Sequence, residues 1–191
     1  MTTITIFGNG HMGQAIDSVL TRGGASVEHI GSGDTQAAVA GDLVILAVPY
    51  RALAPISSAY GSKLAGKIVV DITNPVNFAT FDSLVVPAGS SAAAELQKAL
   101  PDAKVLKAFN TTFAATVASG TVGDHTTTVL IAGDDAEAKA ALAGAIEAGG
   151  LAAMDVGSLA RAHELEALGF LQLTLAAAEK VSWSAGFAVV R

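Results

Sequence analysis

The sequence predicts an α/β protein: a Rossmann-type, doubly wound, mainly parallel sheet in three layers, with a small C-terminal helix and strand extension. Three observations carry this. Short runs rich in Val, Ile and Thr alternate with helical patterns along the whole chain. Residues 42–48 are almost entirely apolar, as expected for a strand buried on both faces of a parallel sheet. A Gly-x-Gly-x-x-Gly stands directly between the first strand and the first helix.

Each element can be justified in turn. Residues 3–7 are a strand of Thr and Ile closed by Phe7. The glycine run at 8–13 follows, then a helix to about Arg22 with Ile16, Val19 and Leu20 on one face. Gly23 and Gly24 stop it. Residues 25–30 form a second strand, and residues 36–40 a short helix at best. Residues 42–48 are the third strand, 50–64 a helix and 67–72 the fourth strand. Residues 90–100 form a helix with a Ser start and Glu95 in its early turns. Strands at 104–109 and 127–132 precede an Ala-rich helix at 134–148, whose Asp134 and Asp135 suit the positive end of a helix. A strand at 151–156, the longest helix at 161–180 and a terminal strand at 187–190 complete the chain.

No repeat, low-complexity tract or linker interrupts this order, so one domain is expected. Residues 1–150 would be a dinucleotide-binding core and 151–191 a strand–helix extension. The longest irregular stretch, residues 74–89, contains Pro75, Pro87, Phe78 and Phe81. Loops of that length inside compact domains are often functional, and its phenylalanines are a candidate wall for a second ligand.

Composition excludes several classes. Among 191 residues, 51% are hydrophobic and 15% charged, which excludes a disordered chain. The net charge is -6 and no basic stripe is present, which argues against a nucleic-acid partner. The absence of Cys removes disulfides, thiol nucleophiles and Cys-based metal sites. Mean hydropathy is high, at +0.52. Even so, the apolar run at 43–48 stops at Pro49, short of the roughly 20 residues a membrane span needs. The N-terminus lacks the basic-then-apolar order of a secretion signal. A cytoplasmic protein without a membrane partner is expected.

The glycines have separable physical tasks. Gly8 permits a tight turn, Gly10 lets backbone approach a pyrophosphate, and Gly13 lets the helix pack on the strand. The helix N-terminus offers N–H groups and partial positive charge. An ordinary glycine turn is the competing reading, and the strand–loop–helix context weighs against it. The second strand ends Glu28-His29-Ile30-Gly31-Ser32-Gly33-Asp34. Ser32 can donate to a 2′-phosphate and Asp34 would repel one, while no Lys or Arg lies between Arg22 and Arg51. His29 faces either the site or solvent.

Together, Gly8-Asn9-Gly10-His11-Met12-Gly13, Gly31-Ser32, Ala47-Val48-Pro49-Tyr50, Val70-Asp71-Ile72-Thr73-Asn74-Pro75, Gly89-Ser90-Ser91-Ala92, Lys107-Ala108-Phe109-Asn110-Thr111 and Ala132-Gly133-Asp134-Asp135 resemble the coenzyme F420-dependent NADP oxidoreductase family. The resemblance extends through Asp155-Val156-Gly157-Ser158-Leu159 and the last helix. It implies hydride transfer between a nicotinamide nucleotide and the deazaflavin F420 or another flavin-type acceptor, across the carboxyl ends of the strands. It implies that Gly8, Asn9, Gly10, His11, Met12 and Gly13 hold the pyrophosphate, and that Ser32 meets the adenosine ribose or its phosphate. Ala47, Val48 and Pro49 would line the ribose wall, and Asn74 and Pro75 would also lie on the cofactor. Asn110, Thr111 and Ala114 would lie near the nicotinamide. Gly33 stands where members of that family commonly carry Arg, which leaves NAD open beside NADP.

Direct hydride transfer needs position and a dry cleft rather than a protein nucleophile, so no catalytic residue is assigned. No metal-spaced histidines are present either. His163 and Glu164 read as a solvated face, and His125 as part of a surface turn. Lys107 reads as the end of a strand, with Asn110 turning the loop or touching the nicotinamide carboxamide. The last helix carries Leu165, Leu168, Leu171 and Leu175, with Phe170 and Leu173 on a second face. Two apolar faces imply either plain core burial or a homodimer. A flavin, quinone or ferric reductase and a nucleotide-binding sensor without turnover are the alternative functions.

Overall fold

The computed structural model describes residues 2–34 and 36–190. Its first half is a strand–helix alternation: β1 (Thr3–Phe7), α1 (His11–Arg22), β2 (Ser26–Ile30), β3 (Leu43–Leu46), α2 (Leu53–Leu64), β4 (Ile68–Asp71), α3 (Ala92–Ala99) and β5 (Lys104–Lys107). A short helix, α4 (Ala114–Ser119), leads to a small hairpin of β6 (Thr121–Val122) and β7 (His125–Thr126). Then come β8 (Thr128–Gly133), α5 (Ala136–Ala148), β9 (Ala152–Gly157) and α6 (Ala162–Ala177). Single 3-10 turns at Tyr50–Ala52 and Leu159–Arg161 lead into α2 and α6.

Seven strands make one sheet in the order β2-β1-β3-β4-β5-β8-β9. The first five are mutually parallel, β8 runs antiparallel to β5, and β9 is parallel to β8. Side chains alternate across a strand, so a central strand must be apolar on both sides. In β3, Leu43 and Ile45 join Ile4, Ile16 and Leu142 on one face. Val44 and Leu46 join Tyr60, Leu64 and Leu96 on the other. That double burial explains the unbroken apolar run.

Several elements differ from the sequence expectation. Residues 36–40 form no helix. Gly41 is drawn tight against β1: its N–H donates to Thr5 Oγ1 at 3.0 Å, and an added Cβ would stand 2.6 Å from the Thr5 nitrogen. The chain therefore arrives at β3 extended. Residues 187–190 form no strand, because the Phe187 N–H is taken by Gln172 Oε1 rather than by a sheet edge. α4 and the hairpin were not anticipated; both are too short to show a period. α3 is capped by Ser91, whose hydroxyl accepts from Ala94 N–H at 3.0 Å. The irregular stretch at 74–89 is pinned by one bridge, Val76 to Leu84.

Candidate functional site

The parallel registers align Phe7 with Leu46, Leu46 with Asp71 and Asp71 with Lys107, one row across four strand ends. The residues singled out at 8–13, 47–49, 74–75 and 110–111 all follow that row. They therefore gather along one sheet edge, although they are far apart in sequence.

At its left side a cleft of about 640 Å³ opens. Gly8, Asn9 and Gly10 form its rim, the turn from Gly31 to Asp34 one end, and Ala47, Val48 and Pro49 its back wall. The floor is Pro55, Ile56, Ala59 and Tyr60 of α2, which the sequence reading missed. The signal was available: these apolar positions recur at helical spacing after Pro49.

The three glycines perform three different tasks. Gly8 has φ +100, and a Cβ there would stand 2.2 Å from the Ala47 carbonyl oxygen. A Cβ on Gly13 would lie 3.1 Å from the Gly8 carbonyl oxygen, so its absence lets α1 approach the loop. Gly10 has no heavy atom within 4 Å of where its Cβ would be, so it faces open space. It is also the N-cap of α1, with no side chain accepting from the first turn and no acid there. By contrast, α5 is capped by Asp135, which accepts from Ala138 N–H at 2.8 Å. The fold closes that helix end and leaves the one at the cleft open to an anion.

His29 points neither into the cleft nor to bulk solvent. Its Nδ1 lies 2.8 Å from the Gly8 carbonyl oxygen and its Nε2 3.0 Å from Asp17 Oδ2, so it braces the loop from beneath. Gly8 N–H donates to the Ile30 carbonyl at 2.9 Å, a second tether. Ser32 and Gly33 are exposed at the tip of their turn. Tyr60 donates to the Asp34 carbonyl, holding that turn to α2.

His11, Met12, Gly13, Asn74, Pro75, Asn110, Thr111 and Ala114 do not line this cleft. Met12 and Ala114 pack half-buried on the same core cluster as Ala47. Asn74 and Asn110 form a separate junction beyond β4 and β5. Asn74 Nδ2 donates to the Asn110 carbonyl at 2.8 Å. Asn110 Nδ2 donates to Asn74 Oδ1 at 3.0 Å and to the Leu165 carbonyl at 2.8 Å. Gly169 of α6 makes this possible, since a Cβ there would stand 2.4 Å from Asn74 Oδ1. Thr73 Oγ1 and Asn110 Oδ1 are buried here without a partner among the described residues.

Beneath the junction lies an ion triad that the sequence did not disclose. Lys107 is fully buried, with Nζ 2.9 Å from Asp71 Oδ2 and 2.8 Å from Glu166 Oε1. It also donates to the Thr73 carbonyl, and Asp71 Oδ1 accepts from Thr73 N–H at 2.8 Å. Glu166 receives the Ala92 N–H at 3.0 Å at the start of α3. Burial pushes the Glu166 carboxyl above the usual carboxylate range, and Lys107 pulls it back. Nearby, Tyr50 donates to Glu95 Oε2 at 2.6 Å. Burial and then the Glu95 carboxylate push its phenol up to about 12.

The 74–89 loop does not reach the cleft. Phe78 is 59% exposed and meets Phe81 edge-on at 5.5 Å. His163 is exposed, but its Nδ1 lies 3.0 Å from the Ser90 carbonyl oxygen, and Glu164 pairs with Arg161 at 2.7 Å. His125 is exposed in β7.

With this geometry established, comparison with known proteins is informative. A family model described as NADP oxidoreductase coenzyme F420-dependent matches residues 25–75. The F420-dependent NADP reductase of Methanocaldococcus jannaschii is 33% identical over 156 residues, covering 78% of this chain and 69% of that protein. The metalloreductase STEAP3 of Rattus norvegicus is 34% identical over 131 residues, covering 69% of this chain and only 26% of that protein. A crystal structure of a provisionally assigned F420-dependent NADP reductase from Arthrobacter sp. FB24 superposes with a TM-score of 0.85, at 26% identity, over 100% of both chains.

Proposed function

Because this chain belongs to the coenzyme F420-dependent NADP oxidoreductase family, we propose that it passes a hydride between a nicotinamide nucleotide, NADP(H) or NAD(H), and the deazaflavin F420. The observation that carries this is the open helix end. Gly10 leaves unfilled space in front of the uncapped first turn of α1, at the rim of a cleft of about 640 Å³. A pyrophosphate fits that combination of free N–H groups, positive dipole and missing side chain.

When bound, the nicotinamide and deazaflavin rings supply the redox chemistry between themselves. The chain's own residues bind and orient. Gly8, Asn9, Gly10, His11, Met12 and Gly13 hold the diphosphate, Ser32 meets the adenosine ribose, and Ala47, Val48 and Pro49 exclude water from the ribose wall. Asn74, Pro75, Asn110, Thr111 and Ala114 form the nicotinamide end, where the unpartnered Thr73 Oγ1 and Asn110 Oδ1 await polar atoms. Phe78 and Phe81 are the candidate wall for the acceptor. No residue acts as acid, base or nucleophile in this reading.

The reading also keeps residues 1–150 as the binding core and 151–191 as its extension, which supplies Glu166 and Gly169 to the nicotinamide end. We further propose a homodimer working in the cytoplasm. Leu171, 50% exposed on α6, supports the dimer. Among the described residues, no helix is long and apolar enough to cross a membrane.

The test is oxidation of NADPH and of NADH by the purified chain with F420 as acceptor, followed by loss of deazaflavin absorbance. Saturable turnover is expected. Tight nucleotide binding without turnover would move the reading to a flavin, quinone or ferric acceptor, or to a sensor.

A further inference from the structure

Among the described residues, the adenosine end of the cleft presents a fixed carboxylate and no cation. Asp34 Oδ2 accepts the Gly31 N–H at 3.1 Å, and Asp34 N–H returns a bond to the Gly31 carbonyl at 3.1 Å. The charge is thereby tied to the turn that ends β2, while Oδ1 has no partner among the described residues. Among the described residues, no Lys, Arg or His lines the cleft. Of the cations that flank the cleft in sequence, Lys63 is bonded elsewhere and the exposed Arg51 faces a neighbouring cleft. Lys63 donates to the Gln36 and Ala37 carbonyls at 3.2 and 2.9 Å. Arg51 borders a different, smaller cleft beside Glu95.

We propose that Asp34 is a specificity-determining residue and that the chain binds NADH at least as tightly as NADPH. An ionised oxygen free to accept suits the vicinal hydroxyls of an unphosphorylated ribose. A 2′-phosphate would be brought against that same charge with nothing to neutralise it. Ser32 can donate to either group and discriminates neither. This inference rests on the nucleotide reading of the cleft, and it departs from the phosphate preference in the relatives' names.

Gly33 provides a direct handle. It sits at the exposed tip of the turn, without left-handed backbone, and no heavy atom lies within 4 Å of its Cβ position. A cation can be introduced there without strain.

The experiment is calorimetric titration of the full chain with NADPH and with NADH, at about 0.01 M and about 0.15 M salt, where the screening length falls from roughly 30 to roughly 8 Å. NADH should bind as tightly as NADPH or more tightly at low salt, and the gap should narrow as salt screens the phosphate from Asp34. Gly33→Arg should strengthen NADPH binding on the order of tenfold, the yield of one charge-assisted hydrogen bond, and leave NADH unchanged. Asp34→Asn should weaken NADH binding and strengthen NADPH binding. NADPH bound more tightly than NADH by the native chain, with a preference that fades as salt rises, would overturn the proposal, because that is the signature of a cation on the phosphate. Binding of neither nucleotide would overturn the reading of the cleft itself, and this inference with it.

Discussion

The two ends of the strand-end row are built by opposite means. At the β1–α1 end, the fold removes side chains. Gly8, Gly10 and Gly13 leave backbone against backbone, an open helix end and empty space. At the β4–β5 end it packs charge into a closed interior, where Lys107, Asp71 and Glu166 are all 0% exposed. The first end keeps its N–H groups unspent, and the second spends nearly every polar atom it has. In the proposed reading both ends meet the nucleotide, one through open backbone and the other through the two polar atoms its packing leaves free, Thr73 Oγ1 and Asn110 Oδ1.

Three perturbations would sharpen or break that contrast. The largest effect is expected from Lys107→Met. It strands two buried carboxylates against each other, and losing one partner of a buried pair costs about 3–5 kcal/mol. Urea unfolding would measure it, and a loss below about 1 kcal/mol would mean the triad is no structural keystone. Next is Gly10→Leu. Nucleotide affinity should fall on the order of 100-fold, about 2.7 kcal/mol, with stability within about 0.5 kcal/mol of the parent. The space is there for the side chain. Unfolding of this variant, or unchanged affinity, would erase the distinction between the two ends.

The smallest effect concerns pH. The Tyr50 phenol is raised from 10.0 to about 12 in the folded chain. A group favoured in its neutral form by folding contributes stability that is complete below the unfolded value and lost as pH rises through the folded one. Tyr50→Phe should therefore flatten the alkaline decline in the urea midpoint between those two values. An unaltered slope would show that the Tyr50–Glu95 contact opens in solution.

The same contrast governs what could be read from the sequence. The glycine end is encoded locally: strand, loop and helix lie within residues 3–22, and each glycine's spacing has a steric meaning. The ionic end is assembled from Asp71, Lys107 and Glu166, on three elements with no shared spacing. Lys107 read as the last residue of a strand because nothing near it in sequence announces two acids. Gly169 was passed over inside a long helix, since the Asn74 and Asn110 side chains that forbid a Cβ there arrive from elsewhere. His29 gave two readings and took neither, because its partners Gly8 and Asp17 are brought together only by the β1–β2 register. Leu171 follows the apolar period of α6 yet is half exposed, while Glu166 and Gln172 are buried in its place. Helical spacing gives the faces of a helix but not which face the fold will cover.

The open end of α1 makes the protein its own gauge of occupancy. The amide hydrogens of His11, Met12 and Gly13 begin a helix that no side chain closes, and the first amides of a helix have no partner one turn back. In water they trade hydrogen for deuterium freely, and a bound diphosphate would hold them. Three backbone signals, read by magnetic resonance or mass, would then report the filling of the cleft without a dye, a label or an assay for the reaction.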